Sequence, residues 1–244
     1  MTIEEMEQRV IHYWTIRAHD FSTVRKNELG SDMGRRWLRE LNVHIPEGQQ
    51  LDILDVGTGS GFFAVLMAQQ GHQVTGIDLT PAMLEEAAAL AEHLKLNICF
   101  RKMDAQKLEF KEKTFDVVLS RNLTWTLPDP EKAYKEWCRV LRPGGIILNF
   151  DADYAKNVRS ESTQNNSVAP DSPYGHVGMT QALQKESNEI TLAMDIGQQR
   201  PAWDAAVLKK AGVHSCEVDV TVGQRILGAS DLVNAPMFGI FAVK

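Results

Sequence analysis

Short apolar runs alternate with longer amphipathic segments through the middle of the chain. The short runs predict strands at 51–56, 74–78, 98–101, 115–119 and 146–150, and the continuous apolar character of 115–119 indicates a strand buried on both faces. Segments with apolar residues three and four apart separate them and predict helices at 62–70, 80–94 and 131–141. Strands that alternate with helices in this way predict an α/β fold with a doubly wound, mostly parallel sheet between two helical layers.

The flanking segments follow other patterns. Apolar residues at helical spacing predict a helix over 3–19, ending near His19 or Asp20, and Ser31-Asp32 offers the N-cap of a second helix. We therefore interpret 1–46 as an N-terminal helical cap on a cofactor-binding core at 51–150. Downstream, we define a C-terminal section at 201–244. It contains a predicted helix at 203–210 and two predicted strands at 216–222 and 238–243, which would pair antiparallel at the edge of the sheet.

A polar segment interrupts the pattern after Phe150. From Asp151 to about Thr180 the chain is rich in Ser, Asn, Asp, Pro and Gly, and a helical pattern follows at 181–196. So long a segment is unusual as a connection within one domain. We interpret 151–200 as a lid-like insertion, with a disordered loop as the alternative. The prediction is a single domain over 1–244 with seven strands.

Composition excludes several classes of protein. The net charge of -6 offers no basic surface for a nucleic-acid backbone, and no apolar run is long enough to span a membrane. The acidic start of the chain is unlike a secretory signal, so we expect a cytoplasmic protein. Cys99, Cys138 and Cys216 are widely spaced and suit neither disulfides nor a metal site, which predicts core thiols.

The stretch Leu51–Asp78 carries most of the chemical information. Its first strand ends at Gly57, and the glycines of Gly-Thr-Gly-Ser-Gly let the backbone approach a ligand beside the start of a helix. Asp78 ends the second strand, where a carboxylate can accept hydrogen bonds from ribose hydroxyls. The stretch therefore predicts a site for a nucleoside-containing ligand.

Four motifs in order resemble those of class I S-adenosylmethionine-dependent methyltransferases of the small-molecule, methyltransferase type 11-like branch. They are LDVGTGSGF at 54–62, VTGID at 74–78, MDA at 103–105 and FDVVLSRNLTWTLPDPEKAYKEWCRVLRPGG at 115–145. Tyr13, Trp14, Arg17 and Phe21 resemble the cap helix of many members. The resemblance implies a Rossmann-like fold, S-adenosyl-L-methionine as cofactor and methyl transfer to a small organic molecule by in-line displacement.

The resemblance also implies roles for individual residues. Gly57, Thr58, Gly59, Ser60 and Gly61 would wrap the methionine part of the cofactor, with Asp55 near its amino group. Asp78 would hold the ribose, Leu79 and Met83 would pack on the adenine or ribose, and Asp104 with Ala105 would meet the adenine edge. Tyr13, Trp14 and Arg17 would close over the methionine end, and Arg121 would line the cofactor cleft.

The acceptor side is less defined by the sequence. Asn122, Asp151 and Tyr154 are candidate catalytic residues because they follow the fourth and fifth strands, and Asp153 belongs with them. His12, His19 and His176 are further candidates for a general base, although each also suits a surface or packing role. The reaction requires no metal. Ser120-Arg121-Asn122-Leu123 lacks the Asp/Asn-Pro-Pro-aromatic signature of enzymes that methylate nucleic-acid amino groups, which favours a small-molecule partner.

Two alternatives stay open. An NAD-dependent oxidoreductase would use the same fold, but the glycines here are spaced alternately rather than as G-x-G-x-x-G. A non-catalytic cofactor-binding protein acting through a partner is the other alternative, because methyl transfer needs no obligatory catalytic residue. Neither the acceptor nor the oligomeric state follows from the sequence, and a homodimer is compatible with it.

Overall fold

A computed structural model describes residues 2–161, 177–228 and 236–244. In these ranges a seven-stranded sheet has the order β3-β2-β1-β4-β5-β7-β6. The strands are β1 (Asp52–Val56), β2 (Gln73–Asp78), β3 (Ile98–Lys102), β4 (Phe115–Arg121), β5 (Leu141–Ala152), β6 (Ser215–Asp219) and β7 (Met237–Val243). Strands β1 to β5 pair in parallel, and β7 runs antiparallel to both β5 and β6. The predicted seven-stranded sheet with an antiparallel C-terminal edge is confirmed.

Helices cover both faces of the sheet. They are α1 (Ile3–Leu29), α2 (Asp32–His44), α3 (Phe62–Gln69), α4 (Pro81–His93), α5 (Pro130–Val140), α6 (Tyr154–Glu161), α7 (Gln181–Ala193), α8 (Ala202–Lys210) and α9 (Val222–Leu227). None of these helices combines the length and the apolar character needed to cross a bilayer.

Alternation along β4 shows how the sheet separates two cores. Val117 and Leu119 pack with residues of α2, α3 and α9, whereas Val118 packs with residues of α5 and α8. Successive side chains of a strand point to opposite faces, so a strand buried on both sides reads as one apolar run. This is why the central strands could be located from the sequence.

The first helix is longer than predicted. It continues past Asp20 to Leu29, and its capping box is formed by Thr2 and Glu5. The apolar spacing fades after Phe21 because the last turns bury charged side chains, including Arg25 and Glu28, in place of apolar ones. The second helix begins as predicted, with Ser31 as its N-cap.

Three further predictions need correction. The segment after Phe150 does not begin as a loop, because β5 runs to Ala152 and α6 follows at once. The strand predicted over 216–222 ends at Asp219, whose carboxylate accepts the Thr221 backbone N–H and thereby turns the chain into α9. Strand β5 also starts earlier than predicted, at Leu141, with an irregularity in its pairing where the sequence predicts a turn.

The cysteine prediction holds only in part. Cys138 is buried and Cys216 half-buried, but Cys99 is exposed, since it lies on β3 at the edge of the sheet. Residues 162–176, which include His176 and the middle of the predicted lid, lie outside the described residues.

Candidate cofactor and acceptor site

The loop after β1 adopts a conformation that only glycine accommodates well. Gly57, Gly59 and Gly61 have φ angles of +66°, +53° and +85°, in the left-handed region that L side chains rarely adopt. The loop leads directly into α3, whose first N–H groups lack partners within the helix and carry the positive end of its dipole. A carboxylate or hydroxyl oxygen is the natural ligand of such a loop.

Asp78 ties the end of β2 to this loop. Its Oδ2 accepts the Gly59 N–H at 3.0 Å, and its Oδ1 accepts the Thr80 N–H at 2.8 Å. Burial raises the pKa of Asp78 above its ordinary value. Each carboxylate oxygen has a second lone pair, so the side chain can still accept hydrogen bonds from a ligand's hydroxyls.

Asp55 secures the other side of the same loop. Its Oδ2 accepts the Thr58 hydroxyl at 2.6 Å and the Ala64 N–H at 3.0 Å. The side chain is buried, and burial raises its pKa to about 6. Asp55 therefore connects the end of β1 to the first turn of α3 and sets the shape of the glycine loop.

The residues expected at an adenine lie at the same edge of the sheet, after β2 and β3. Met83 is buried near the start of α4, and Leu79 is half-buried just before it. The Asp104 Oδ1 accepts the Gln106 N–H at 2.8 Å, and the Ala105 carbonyl accepts the Trp137 indole N–H at 3.1 Å. The structure thus brings this group together at the carboxyl ends of neighbouring strands.

Helix α1 lies across the loop. The Phe21 ring comes within 3.5 Å of the position that a Cβ on Gly59 would take. Trp14 meets Phe21 edge-on, with ring centroids 5.3 Å apart, and Tyr13 meets Trp14 at 5.2 Å. Among these aromatic residues, Phe21 is the one that contacts the glycine loop.

Two of the predicted cap residues, Tyr13 and Arg17, contact other parts of the chain. Tyr13 is buried in a small apolar cluster with Met6, Ile190 and Met194, which joins α1 to α7. The Arg17 guanidinium is also buried, and it donates to the Val177 carbonyl at 2.6 Å. The structure therefore places Tyr13 and Arg17 towards α7 and the segment before it.

Arg121, at the end of β4, is held by partners that the sequence did not indicate. Its guanidinium stacks over Trp37 and Phe62, 4.4 and 4.8 Å from the ring centroids. Its Nη2 donates to the Glu28 Oε1 at 2.8 Å. Sequence patterns gave no signal for this contact because Glu28 lies in a charged stretch that is typical of an exposed helix end.

Buried polar atoms near the glycine loop suit S-adenosylmethionine. In the described parts of the chain, the Ser60 hydroxyl and the Arg121 Nε and Nη1 are buried and have no hydrogen-bond partner. Buried polar groups are normally paired, so atoms left over beside a ligand loop favour a polar ligand. An amino-acid carboxylate matches these donors, and the ribose and adenine positions continue along the same edge. The residues present fit this cofactor.

A pocket opens beyond the ends of β4 and β5. We call it the acceptor pocket after the role proposed for it below, and it is lined by Thr124, Trp125, Pro130, Ala152, Asp153, Tyr154, Ala155, Thr191, Met194, Asp195, Ile196 and Arg200. Trp125 and Tyr154 form part of its wall, with ring centroids 4.9 Å apart. The predicted candidates Tyr154 and Asp153 therefore meet here with α7, whose role in the site the sequence did not indicate.

Asp151 lies beneath this pocket. It is fully buried, and its carboxylate accepts the Thr124 hydroxyl, the Trp125 N–H at 3.3 Å and the Ala152 N–H at 2.8 Å. Burial raises the pKa of this carboxyl. Its contacts fix the short helical turn Thr124–Thr126 that carries Trp125.

A buried polar network supports the base of the acceptor pocket. Arg200 pairs with Asp204 at 2.7 Å and lies 3.6 Å from Asp151. The Tyr134 hydroxyl donates to Asp204 at 2.7 Å and accepts from the Asn149 side chain at 2.9 Å. Sequence reasoning missed this network because its members are far apart along the chain and share no periodicity.

The remaining candidates among the described residues do not themselves line the pocket. Asn122 follows β4 with φ of +55°, a conformation that Asn tolerates better than most residues, and its side-chain carbonyl is buried without a hydrogen-bond partner among the described residues. His19 is exposed and contacts Glu86 on α4 at 2.9 Å. His12 does not line the acceptor pocket.

Comparison with known sequences identifies the central region. Residues 54–149 match a family described as a methyltransferase domain. Ubiquinone biosynthesis O-methyltransferases of Alkalilimnicola ehrlichii and Coxiella burnetii are 35% and 32% identical over 97 and 96 residues. Each match covers 39% of this chain, and 39% and 41% of the relatives. The matched region thus spans about two-fifths of the length of these curated relatives.

Solved structures share the fold over a longer range. The complex of the Haloferax volcanii Trm112 methyltransferase activator with its methyltransferase matches with a TM-score of 0.60 and 19% identity, covering 94% of this chain and 96% of that one. An S-adenosylmethionine-dependent methyltransferase from Mesorhizobium loti matches at 0.60 and 21%, covering 84% and 96%. The methyltransferase-domain match thus covers residues 54–149, and the wider chain shares the fold of these solved structures.

Proposed function

We propose that this protein transfers a methyl group from S-adenosyl-L-methionine to a small organic acceptor. The observation that carries the proposal is the hydrogen bond between Asp78 and the left-handed Gly59, which holds a nucleoside-accepting carboxylate beside a ligand-accepting loop. The acceptor pocket lies at the same edge of the sheet, where ligands bind in open α/β folds.

We assign the cofactor contacts as the sequence predicts them. The loop residues hold the methionine part, Asp78 the ribose, and the group after β2 and β3 the adenine. We propose that Arg121 contacts the cofactor, because two of its buried nitrogens have no hydrogen-bond partner in the described chain. Tyr13, Trp14 and Arg17 act through α1 as a whole, and Phe21 is the residue of that helix that lies on the loop.

The cofactor, when bound, supplies a methyl group activated by a positively charged sulfur. The chain's task is to hold the acceptor in line and to keep water out, and good positioning alone lowers a barrier by about 7–11 kcal/mol. Trp125 and Tyr154 form the wall that would orient the acceptor. We propose that Asp151 is a positioning residue, since its contacts hold Trp125 and its carboxylate is fully buried.

Calorimetry with S-adenosylhomocysteine tests this proposal. We expect wild-type protein to bind it and Asp78→Asn to bind it at least about tenfold more weakly, because a hydrogen bond between a charged acceptor and a ligand contributes about 1.5–3 kcal/mol. Asp116→Asn is the matched control, since Asp116 lies on β4 at the opposite end of the sheet and pairs with Arg142. Wild-type protein that binds neither S-adenosylhomocysteine nor S-adenosylmethionine would refute the proposal, and saturable binding of NADH would favour an oxidoreductase.

Three wider assignments belong with this proposal. We propose that residues 1–244 act as a single domain, because α1 contacts both α4 and α7 and so joins the cap, the core and the helices after 151. We propose the cytoplasm as its location, on the acidic composition of the chain. A homodimer is the assembly to be tested, by analytical ultracentrifugation.

A further inference from the structure

We infer that the methyl acceptor is an amine, bound through its nitrogen in the acceptor pocket between the aromatic wall and Asp153. This inference rests on the proposed function and adds the chemical class of the substrate. It is carried by three features of the pocket: two aromatic faces, one carboxylate that forms no ion pair with another described residue, and a guanidinium that lies against two carboxylates.

Hydrogen bonds fix the position of Trp125, which provides one of the two aromatic faces. The Trp125 indole N–H donates to the Asn122 carbonyl at 2.9 Å, and the Trp125 backbone N–H donates to Asp151. The Tyr154 ring is tilted by 49° against the indole, so the two rings present a corner rather than a flat stack. Aromatic faces attract ammonium groups, by about 0.5–2 kcal/mol for each contact.

The charges at the pocket favour the same ligand. Arg200 brings a positive charge, but Asp204 and Asp151 both lie against its guanidinium. Asp195 is paired with Arg159. Asp153 accepts the Lys156 N–H at 3.1 Å and forms no ion pair with any residue of the described ranges. Among the described residues, the pocket therefore has an excess of negative charge, located at Asp153.

The reaction moves positive charge towards this carboxylate. The lone pair of a neutral amine nitrogen forms the new C–N bond while the C–S bond breaks and leaves its electron pair on sulfur. The positive charge passes from sulfur to nitrogen, and a primary or secondary amine then releases a proton to solvent. A carboxylate and two aromatic faces around the nitrogen stabilise this charge as it develops, which lowers the barrier. A carboxylate or phosphate acceptor would be repelled by Asp153.

The named relatives do not conflict with an amine acceptor. Most of the pocket lining, including Asp153 and Tyr154, lies after the range 54–149 that matches the methyltransferase-domain family. The family match therefore does not by itself determine the acceptor.

Three small molecules of one shape test the inference. Choline carries a quaternary ammonium group, 3,3-dimethylbutan-1-ol replaces that nitrogen by carbon, and 3,3-dimethylbutanoate is an anion of similar size. Binding is measured by calorimetry on the full chain, with and without saturating S-adenosylhomocysteine. We expect choline to bind at least about tenfold more tightly than the alcohol, with no measurable binding of the anion.

Two variants test whether Asp153 and Trp125 produce the preference for choline. Asp153→Asn keeps a side-chain acceptor for α6 but removes the charge, and we expect it to reduce the ratio of choline to alcohol affinity about fivefold. Asp32→Asn is the matched control, because Asp32 is an exposed aspartate at the start of another helix and is outside the pocket lining; it should leave the ratio unchanged. Trp125→Leu should reduce the ratio as well.

The outcomes separate the two proposals. Equal binding of choline and the alcohol, tighter binding of the anion, or no binding of choline overturns the amine inference, whether or not S-adenosylhomocysteine binds. A preference for choline that Asp153→Asn leaves unchanged overturns the assigned site. Preference for choline in a protein that binds no S-adenosylhomocysteine contradicts only the proposed function.

Discussion

Arg121 donates its Nη2 hydrogen to Glu28 Oε1 over 2.8 Å, and both side chains are buried, being 8% and 3% exposed. The same carboxylate accepts the Trp37 indole N–H at 2.9 Å and pairs with Arg25. One carboxylate thus pairs with two guanidiniums, that of Arg25 on its own helix and that of Arg121 at the end of β4, and it orients Arg121.

Removing this acid should destabilise the fold strongly. Glu28→Ala leaves two buried guanidiniums without their common partner, and we expect a loss of about 3–5 kcal/mol in the free energy of unfolding, measured in urea. Glu186→Ala is the control, because its ion pair with Arg9 is partly exposed and should contribute less than about 1 kcal/mol. Equal losses in the two variants would contradict a structural role for the buried cluster.

The sequence predicted the parts of the fold that depend on local patterns. Strands β1 to β4 lie within two residues of their predicted bounds, because each is an apolar run that begins or ends near glycine, proline or charge. The left-handed glycines and Asp78 were identified for the same reason, since spacing along the chain determines their geometry.

Features that depend on contacts between distant residues were not predictable. Glu28 and Arg121 are 93 positions apart, and Arg200 lies 76 positions from Thr124. No periodicity links such pairs, and a charged residue on a helix is normally exposed. The strand predicted over 216–222 extends three residues too far, because Val220 and Val222 continue its alternation, whereas the chain turns after Asp219 into α9, which buries Val222 and Ile226.

Gly59 should be required for ligand binding rather than for folding. Gly59→Ala places a left-handed alanine in the loop, at a cost of about 1–2 kcal/mol, and its Cβ meets only the Phe21 ring at an ordinary distance of 3.5 Å. The new methyl group would occupy space beside the loop that the cofactor needs. We expect at least about tenfold weaker binding of S-adenosylhomocysteine by calorimetry, because each 1.4 kcal/mol lost is a factor of ten.

Gly71→Ala is the matched control for this prediction. Gly71 has φ of +87°, and a Cβ there would meet nothing within 4 Å. Its replacement should reduce stability by a similar amount and leave the affinity for S-adenosylhomocysteine unchanged. If both variants lose affinity equally, the effect of Gly59 is a general loss of stability and not a contact with the ligand.

Phe21 should slow the release of the cofactor product. Its ring covers Gly59 and is itself covered by Arg25, whose guanidinium lies 4.9 Å from the ring centroid. Phe21→Ala opens the loop to water, and we expect S-adenosylhomocysteine to dissociate about five to ten times faster, consistent with a loss of about 1 kcal/mol of aromatic contact. Stopped-flow displacement measures this rate. Ile16→Ala is the control, because Ile16 is exposed on the same helix and its replacement should leave the dissociation rate unchanged. If Phe21→Ala also leaves the rate unchanged, α1 does not cover the ligand.

Asp55 should make the protein more stable in mild acid. Burial raises its pKa from 3.8 to about 6, because desolvation of the charged carboxylate outweighs the hydrogen bonds from Thr58 and Ala64. Between about pH 4 and pH 6 the folded chain therefore binds more protons at this site than the unfolded chain. The contribution of Asp55 to stability is then greatest below pH 4 and is lost as the pH rises through 6. A shift of about two units corresponds to about 3 kcal/mol.

Asp55→Asn measures how much the titration of Asp55 contributes to stability, because the amide keeps a side-chain oxygen for both donors and does not titrate. The unfolding free energy of wild type minus that of Asp55→Asn should fall by about 3 kcal/mol between pH 4 and pH 7 in urea titrations and stay constant above. Asp32→Asn is the control. Arg35 lowers the pKa of Asp32, so the unfolding free energy of wild type minus that of Asp32→Asn should not fall as the pH rises. A wild-type minus Asp55→Asn difference that is flat or rises with pH would show that Asp55 is already charged at pH 4, in which case its carboxylate would be stabilised by a cation such as the nearby Arg121.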